Sequence, residues 1–275
     1  MGMIDFREVR IIIKGAGEMA SGIAHRLFMS GMRKILMTEI ERPLCIRRPV
    51  SFAESVYEGE CLVEGVKGKR IDSLIEIEKV WKDGAIGVIV DPNSNSAKGL
   101  SPHVIVDAIM AKRHTGTKKD EAPIVICVGP GFRAPEDCHA VIESQRGHNL
   151  GRVIYEGEAE PHTGIPAPTM GYTEERVLRA PRRGMVRHIR KIGDFIKKGD
   201  TVLYVDDIPV FSKIDGVLRG LIREIEVSEN EKIGDVDPRM DKSYCYTISD
   251  KARAIGGGVL EAILHFLPEI KGGDL

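Results

Sequence analysis

Val9-Arg-Ile-Ile-Ile-Lys-Gly-Ala-Gly-Glu-Met-Ala-Ser-Gly-Ile-Ala-His-Arg-Leu-Phe28 reads as a buried strand, a glycine turn and the start of a helix. Val9, Ile11, Ile12 and Ile13 form the unbroken apolar run of a central parallel strand. Met19, Ile23 and Leu27 then recur at every fourth position, which puts them on one helix face. Between the two lies Gly-x-Gly-x-x-Ala, the dinucleotide-binding pattern in the strand-turn-helix context it requires. Gly15 permits the tight turn out of the strand, Gly17 lets the backbone approach a pyrophosphate, and Ala20 keeps helix and strand close. The unpaired N–H groups and positive dipole end of the helix would face the phosphates. Gly15, Ala16, Gly17, Glu18, Met19 and Ala20 therefore make up the expected cofactor-binding loop. The alternative is a glycine turn that only packs strand on helix.

Working outward, Lys34-Ile-Leu-Met-Thr-Glu39 reads as a second strand ending in a carboxylate, where a ribose-binding Glu belongs. Arg42, Arg47 and Arg48 follow, and a guanidinium fork suits phosphate. Glu39, Arg42 and Arg47 thus join the candidate site, for NAD(P) or a ligand phosphorylated elsewhere. A solvated arginine loop is the alternative. Further apolar runs at 60–64, 85–90 and 123–128 read as strands. A short helix capped by Ser51 is predicted over 51–57, and a second over 73–81. The run 103–110 is too short for its period to separate helix from strand.

Strands alternating with helices predict an α/β fold, a Rossmann-like doubly wound parallel sheet. Ligands on such sheets bind at the carboxyl ends of the strands. Those ends carry Gly15–Gly17, Glu39, Asp91 and the Gly129-Pro-Gly131 turn, so Asp91, Gly129 and Gly131 are also candidate cofactor-binding residues. The expected division is a nucleotide-binding domain over 1–160, a Pro/Gly-rich linker or loop over 161–179, a small all-β domain over 180–248, and a C-terminal helix and tail over 249–275. The Gly256-Gly-Gly258 run implies close backbone packing, or a helix that begins after it.

Composition excludes several classes. A net charge of −1 over 275 residues gives no general attraction to nucleic acid or an anionic membrane. No apolar stretch approaches the ~20 residues needed to span a bilayer, and the first residues lack the layout of a secretory signal. The five cysteines have no Cys-x-x-Cys pair and the eight histidines no ligand spacing, so a metal site is not expected. A cytoplasmic location is expected. Cys138 beside His139 is the first place to look for a sulfur-transfer residue, but a buried, inert cysteine is the simpler reading.

The segment 180–237 carries Arg183-Gly-Met-Val186, Ile192-Gly-Asp-Phe-Ile-Lys-Lys-Gly-Asp200 and Asp215-Gly-Val217 in order. This resembles the barrel-sandwich fold of biotinyl and lipoyl domains. Those carriers present a modified lysine at a hairpin tip. Here Val205-Asp-Asp-Ile-Pro209 leaves too little chain for that hairpin, and Lys213 falls too close to the Asp-Gly turn, so no biotin or lipoate attachment is expected.

Over nearly its whole length the chain resembles the YqeB family of accessory proteins for selenium-dependent molybdenum hydroxylases. Its first half is similar to the Rossmann domain of XdhC-like maturation factors. The segments that carry the likeness are Lys14-Gly-Ala-Gly-Glu-Met-Ala-Ser-Gly-Ile-Ala-His25, Thr38-Glu-Ile-Glu-Arg-Pro-Leu44, Arg47-Arg-Pro-Val-Ser-Phe-Ala-Glu54, Gly129-Pro-Gly-Phe132, Val141-Ile-Glu-Ser-Gln-Arg-Gly-His-Asn-Leu-Gly-Arg152 and Lys232-Ile-Gly-Asp-Val-Asp-Pro-Arg239. The resemblance implies a maturation role, with a molybdenum hydroxylase apoenzyme as partner and a nucleotide or nucleotide-containing molybdopterin as ligand. It supplies no catalytic residue. Arg146, His148 and Arg152 suit the lining of a phosphorylated pterin site, with an ordinary surface loop as the alternative. An NAD(P)-dependent oxidoreductase and a docking scaffold remain as other function classes, and self-association into a homo-oligomer is left open.

Overall fold

The structure, a computed structural model, describes residues 5–111 and 113–269. Two compact units form: Met1–Pro43 with Ser51–His162 and Ile248–Leu275, and Leu44–Val50 with Thr163–Thr247. This differs from the expected division in three places. The short segment 44–50 joins the second unit, residues 163–179 of the expected linker belong to that unit too, and the C-terminal helix joins the first.

The first unit is mixed α/β. In chain order it runs β1 (Arg10–Lys14), α1 (Glu18–Met29), β2 (Lys34–Glu39), α2 (Glu54–Glu58), β3 (Glu60–Val63), β4 (Val66–Ile71), α3 (Ile77–Lys82) and β5 (Ile86–Val90). It continues with α4 (Ser96–Leu100), β6 (Val104–Asp107), β7 (Ile124–Val128), β8 (Arg133–Ala134), β9 (Ala140–Ile142), β10 (Val153–Ile154), β11 (Gly157–Glu158) and, from the chain's end, α5 (Asp250–Phe266). Nine strands make one sheet in the order β10-β9-β7-β6-β1-β2-β5-β4-β3. All neighbours pair parallel except at the two edges, where β10 and β3 run antiparallel to their partners. The seven parallel strands stand in the order β9-β7-β6-β1-β2-β5-β4, so the order reverses between β1 and β6.

Alternation along each strand divides its side chains between two faces. Ile12, Leu36, Ile105 and Val125 share one core cluster with Ile77 and Trp81, and the Trp81 indole N–H is satisfied by the Ile35 carbonyl at 2.9 Å. α1 packs on α5 at backbone distance. A Cβ at Gly22 would lie 2.6 Å from the Ala252 Cβ, and one at Gly256 would lie 3.0 Å from the Gly22 carbonyl oxygen. α5 therefore begins before its glycines and uses them for close packing, with Ser249 accepting the Ala252 N–H as its cap.

One open reading is resolved and two local expectations are corrected. The run 103–110 resolves as strand β6 followed by a loop. Ser51 does not cap α2, because its hydroxyl donates to the Ala16 carbonyl instead. Alternation of strand and helix is broken by the β3–β4 hairpin and ends at β6: among the described residues the connections from β6 to β7 and from β7 to β9 carry just the 3-10 turn Lys119–Glu121 and the short β8.

The second unit holds β12 (Val177–Arg179), β13 (Gly184–His188), β14 (Phe195–Ile196), β15 (Thr201–Val205), β16 (Ile208–Phe211), β17 (Gly216–Leu221), β18 (Glu226–Val227) and β19 (Lys232–Asp237). They form two four-stranded antiparallel sheets, β12-β19-β17-β14 and β16-β15-β13-β18. Both contribute to one core around Leu178, Val186, Leu203, Leu218 and Ile233. Against the expectation of too little chain, a hairpin forms here. β15 and β16 pair across a two-residue tip, Asp206-Asp207, and the Arg182 guanidinium holds both tip carboxylates at 2.9 and 2.8 Å. Lys213 lies beyond the end of β16, away from that tip.

Candidate functional site

β1 delivers the glycine loop at its carboxyl end. Gly15 sits at φ +95°, its N–H bonds the Thr38 carbonyl at 2.8 Å, and a Cβ there would lie 3.2 Å from the Ala108 carbonyl oxygen. Only glycine meets both the backbone angle and the approach. The next peptide is anchored on each side. Ala16 N–H donates to Glu39 Oε2 at 2.8 Å, and the Ala16 carbonyl accepts the Ser21 hydroxyl, the Ser51 hydroxyl and the Ala53 N–H, each at 2.9 Å. Gly17 is the N-cap of the 12-residue α1 and offers no side-chain cap, while a Cβ placed on it meets nothing within 4 Å. Glu18, in the first turn of α1, already complements the helix dipole and would compete with an incoming anion.

Glu39 and Asp91 are brought to this loop by the strand order. Asp91 N–H donates to the Glu39 carbonyl at 2.9 Å. The Glu39 carboxylate spends one oxygen on Ala16 N–H and the other on Ile40 N–H, both at 2.8 Å, so its first task is to hold the loop. Burial raises its carboxyl above the usual value, against the pull of those two N–H groups. Burial alone would also raise Asp91, but the hydrogen bonds from Ser96 and the following backbone outweigh it and hold that carboxyl low.

Beside the loop lies a cavity of about 700 Å³, lined by Lys14, by the 92–95 loop after β5, and by Ile109 and the 115–121 segment after β6. Lys14, only 6 % exposed, donates to Thr117 Oγ1 at 2.8 Å and to Glu121 Oε2 at 2.6 Å. Thr117 in turn donates to Asp107 Oδ2 at 2.6 Å, and Thr115 donates to the same oxygen. Asp107 is 1 % exposed. This network was not foreseen from sequence. Its signal is a charged residue closing an apolar strand, Ile-Ile-Ile-Lys14 and Val-Ile-Val-Asp107.

Other candidates are placed elsewhere. Arg47, 2 % exposed, belongs to the second unit and donates to the Tyr244 and Thr247 carbonyls at 2.8 and 3.1 Å, so it is engaged within that unit and not grouped with the glycine loop. Arg48 likewise donates to the Leu221 carbonyl. Arg42 is exposed just beyond β2. Arg146 pairs bidentately with Asp250 at the start of α5, at 2.5 and 2.8 Å, while His148 and Arg152 are exposed in the same turn. That turn docks α5: a Cβ on Gly151 would lie 2.6 Å from the Ala254 carbonyl oxygen. Gly129 and Gly131 follow β7 on the shared edge, but they pack against the Ser144 side chain and the Arg113–His114 backbone. Cys138 is fully buried, with its thiol 3.3 Å from the Ala140 carbonyl oxygen. In the second unit Asp235 and Asp237 face Arg176, Arg219 and Arg239, which occupies both carboxylates at the end of β19. Among the described residues no group of three or more His, Cys, Asp or Glu is placed to hold a metal ion, and no helix is long and apolar enough to cross a membrane.

No family model matches the chain. It is similar to the uncharacterized protein YqeB of Escherichia coli (strain K12), with 46% identity over 258 residues, 94% of this chain and 48% of that protein. That likeness supports the YqeB family, and the chain spans about half the length of this curated relative. Among solved structures, an aspartoacylase family protein from Mesorhizobium loti is 12% identical, with a TM-score of 0.25 and coverage of 83% of this chain and 84% of that one. The ectoine utilization protein EutE (DoeB) from Ruegeria pomeroyi, in its product-bound structure, is 11% identical, with a TM-score of 0.23 and coverage of 82% and 56%. At such scores neither is a guide to fold or chemistry.

Proposed function

We propose, from the likeness to YqeB and the open glycine turn, that this chain is a cytoplasmic maturation factor for a molybdenum hydroxylase. In this reading it binds a nucleotide or a nucleotide-containing molybdopterin at the carboxyl edge of its parallel sheet. The observation that carries the binding half is Gly17: it caps a 12-residue helix, and nothing stands within 4 Å of where its Cβ would be. Phosphates there would meet first-turn N–H groups and the positive dipole end. Support for a Rossmann-like reading comes from the strand order, whose reversal at β1 and β6 is where such sheets bind ligands. Two four-stranded sheets around one core support a barrel-sandwich reading of the second unit. Asp206-Asp207 at its hairpin tip, where carriers present lysine, argues against biotin or lipoate attachment.

In this reading the chain's own residues bind and orient. Ala16, Glu39, Ser21 and Ser51 fix the loop before a ligand arrives, so little ordering is needed on binding. Arg42, exposed just beyond β2, would be available to meet a phosphate on the ribose. The molybdenum half rests on family resemblance alone. An oxidoreductase using NAD(P) is the second reading, favoured by the cavity beside the loop, which has room for a substrate next to a nicotinamide. A deletion strain separates the two. The hydroxylase should accumulate with an incomplete molybdenum centre and no activity, and the wild-type gene should restore it. A fully active hydroxylase in that strain would overturn the maturation reading.

A further inference from the structure

Register sets a polar row across the carboxyl edge of the sheet: Thr38 beside Lys14, and Lys14 beside Asp107. Two residues earlier on the same face the row is Leu36, Ile12 and Ile105, wholly apolar. The cavity floor is thus the point where an apolar face ends in a fixed ammonium. Thr117 and Glu121 take two of the three Lys14 N–H donors, which leaves one for the cavity. That donor is not an anion site. Glu121 neutralises Lys14, Lys118 and Asp120 offset each other, and Asp107 stands behind, so two cations face three carboxylates. A phosphate would be repelled there, whereas a neutral carbonyl oxygen would gain a charge-assisted hydrogen bond without bringing a second negative charge.

We propose that this cavity receives the uncharged, carbonyl-bearing heterocycle of the ligand, with its carbonyl oxygen on Lys14 Nζ, while the phosphates stay outside at the start of α1. The inference rests on the nucleotide reading above and adds which end of the ligand goes where. Asn93, Asn95 and Thr115 line the same cavity and offer neutral donors and acceptors to the ring's remaining edge.

The test is calorimetric titration of the full chain with NADH, GDP and FAD as ring-bearing probes and with inorganic pyrophosphate as a ringless one. Lys14→Met alone would strand Glu121, so the charge-balanced pair Lys14→Met with Glu121→Gln is measured beside it, each checked for an unchanged thermal unfolding profile. At least one ring-bearing probe should bind the wild type, and the double variant should bind it at least about tenfold more weakly. Pyrophosphate affinity should not change in the double variant and should be lost in Gly17→Val. A ring-bearing probe that binds both proteins equally would overturn the proposal, as would loss of pyrophosphate binding in the double variant, which would make Lys14 a phosphate ligand. If no probe binds the wild type, the nucleotide reading fails and this inference falls with it.

Discussion

Glu64 stands at φ 43° in the turn between β3 and β4, and its carboxylate gathers three elements. Oε1 accepts the Ile248 N–H at 2.7 Å, Arg253 donates to both oxygens at 2.7 Å, and His25 of α1 lies 4.0 Å away. Burial alone would raise this carboxyl, but the Ile248 N–H and the Arg253 guanidinium outweigh it and hold it below the usual value. A carboxyl lower in the folded state than in the unfolded one contributes stability above its unfolded pKa, and that contribution is lost as pH falls through the folded value. Glu64→Gln should therefore cost roughly 1–3 kcal/mol at neutral pH, the range for charge-assisted bonds. Urea unfolding should show wild type and variant converging in acid, and a gap that stays constant with pH would contradict the assignment.

At the scale of elements, α5 offers a contrast between adjacent glycines. Alanine in a helix interior gains ~1 kcal/mol over glycine by propensity. Gly257 has nothing within 4 Å of its would-be Cβ, so Gly257→Ala should stabilise by up to about 1 kcal/mol. A Cβ on Gly258 would overlap the Gly151 carbonyl oxygen, which is backbone and cannot swing aside. Gly258→Ala should destabilise by about 1–3 kcal/mol despite its better propensity. Denaturation midpoints moving in the same direction for both variants would contradict this packing. The close packing was legible from three glycines in an apolar helix, but which of them makes the contact was not.

The strands were legible for the same kind of reason: Ile11–Ile13, Ile86–Val90 and Ile124–Val128 are apolar runs that only a buried strand satisfies. The loops that replace helices after β6 were not, because a polar stretch such as 111–122 carries no period to read. Within the site, Gly15, Gly17, Glu39 and Asp91 were found because a turn or strand end marks them. Lys14 and Asp107 were missed because their role depends on register between strands 93 residues apart at Arg10 and His103, which no local window contains. Arg47 was misplaced for a related reason, since its carbonyl partners lie 197 and 200 residues further along the chain.

For the whole molecule, the sheet unit carries the glycine turn and the cavity, while the smaller unit presents two β-sheets and a buried lattice of arginines and aspartates. In the proposed maturation role, one unit would hold the cofactor and the other would be left to meet a partner enzyme. The central claim of that role is that a phosphorylated, nucleotide-type ligand occupies the space in front of Gly17. Native mass spectrometry of protein purified without added cofactor tests this most directly, with wild type and Gly17→Val compared side by side. The wild type should carry, or take up from a nucleotide mixture, a ligand of nucleotide or pterin dinucleotide mass. The folded variant should carry none, because the valine side chain fills the phosphate position. A ligand retained equally by the variant, or a wild type that binds no nucleotide under any condition tried, would contradict the account.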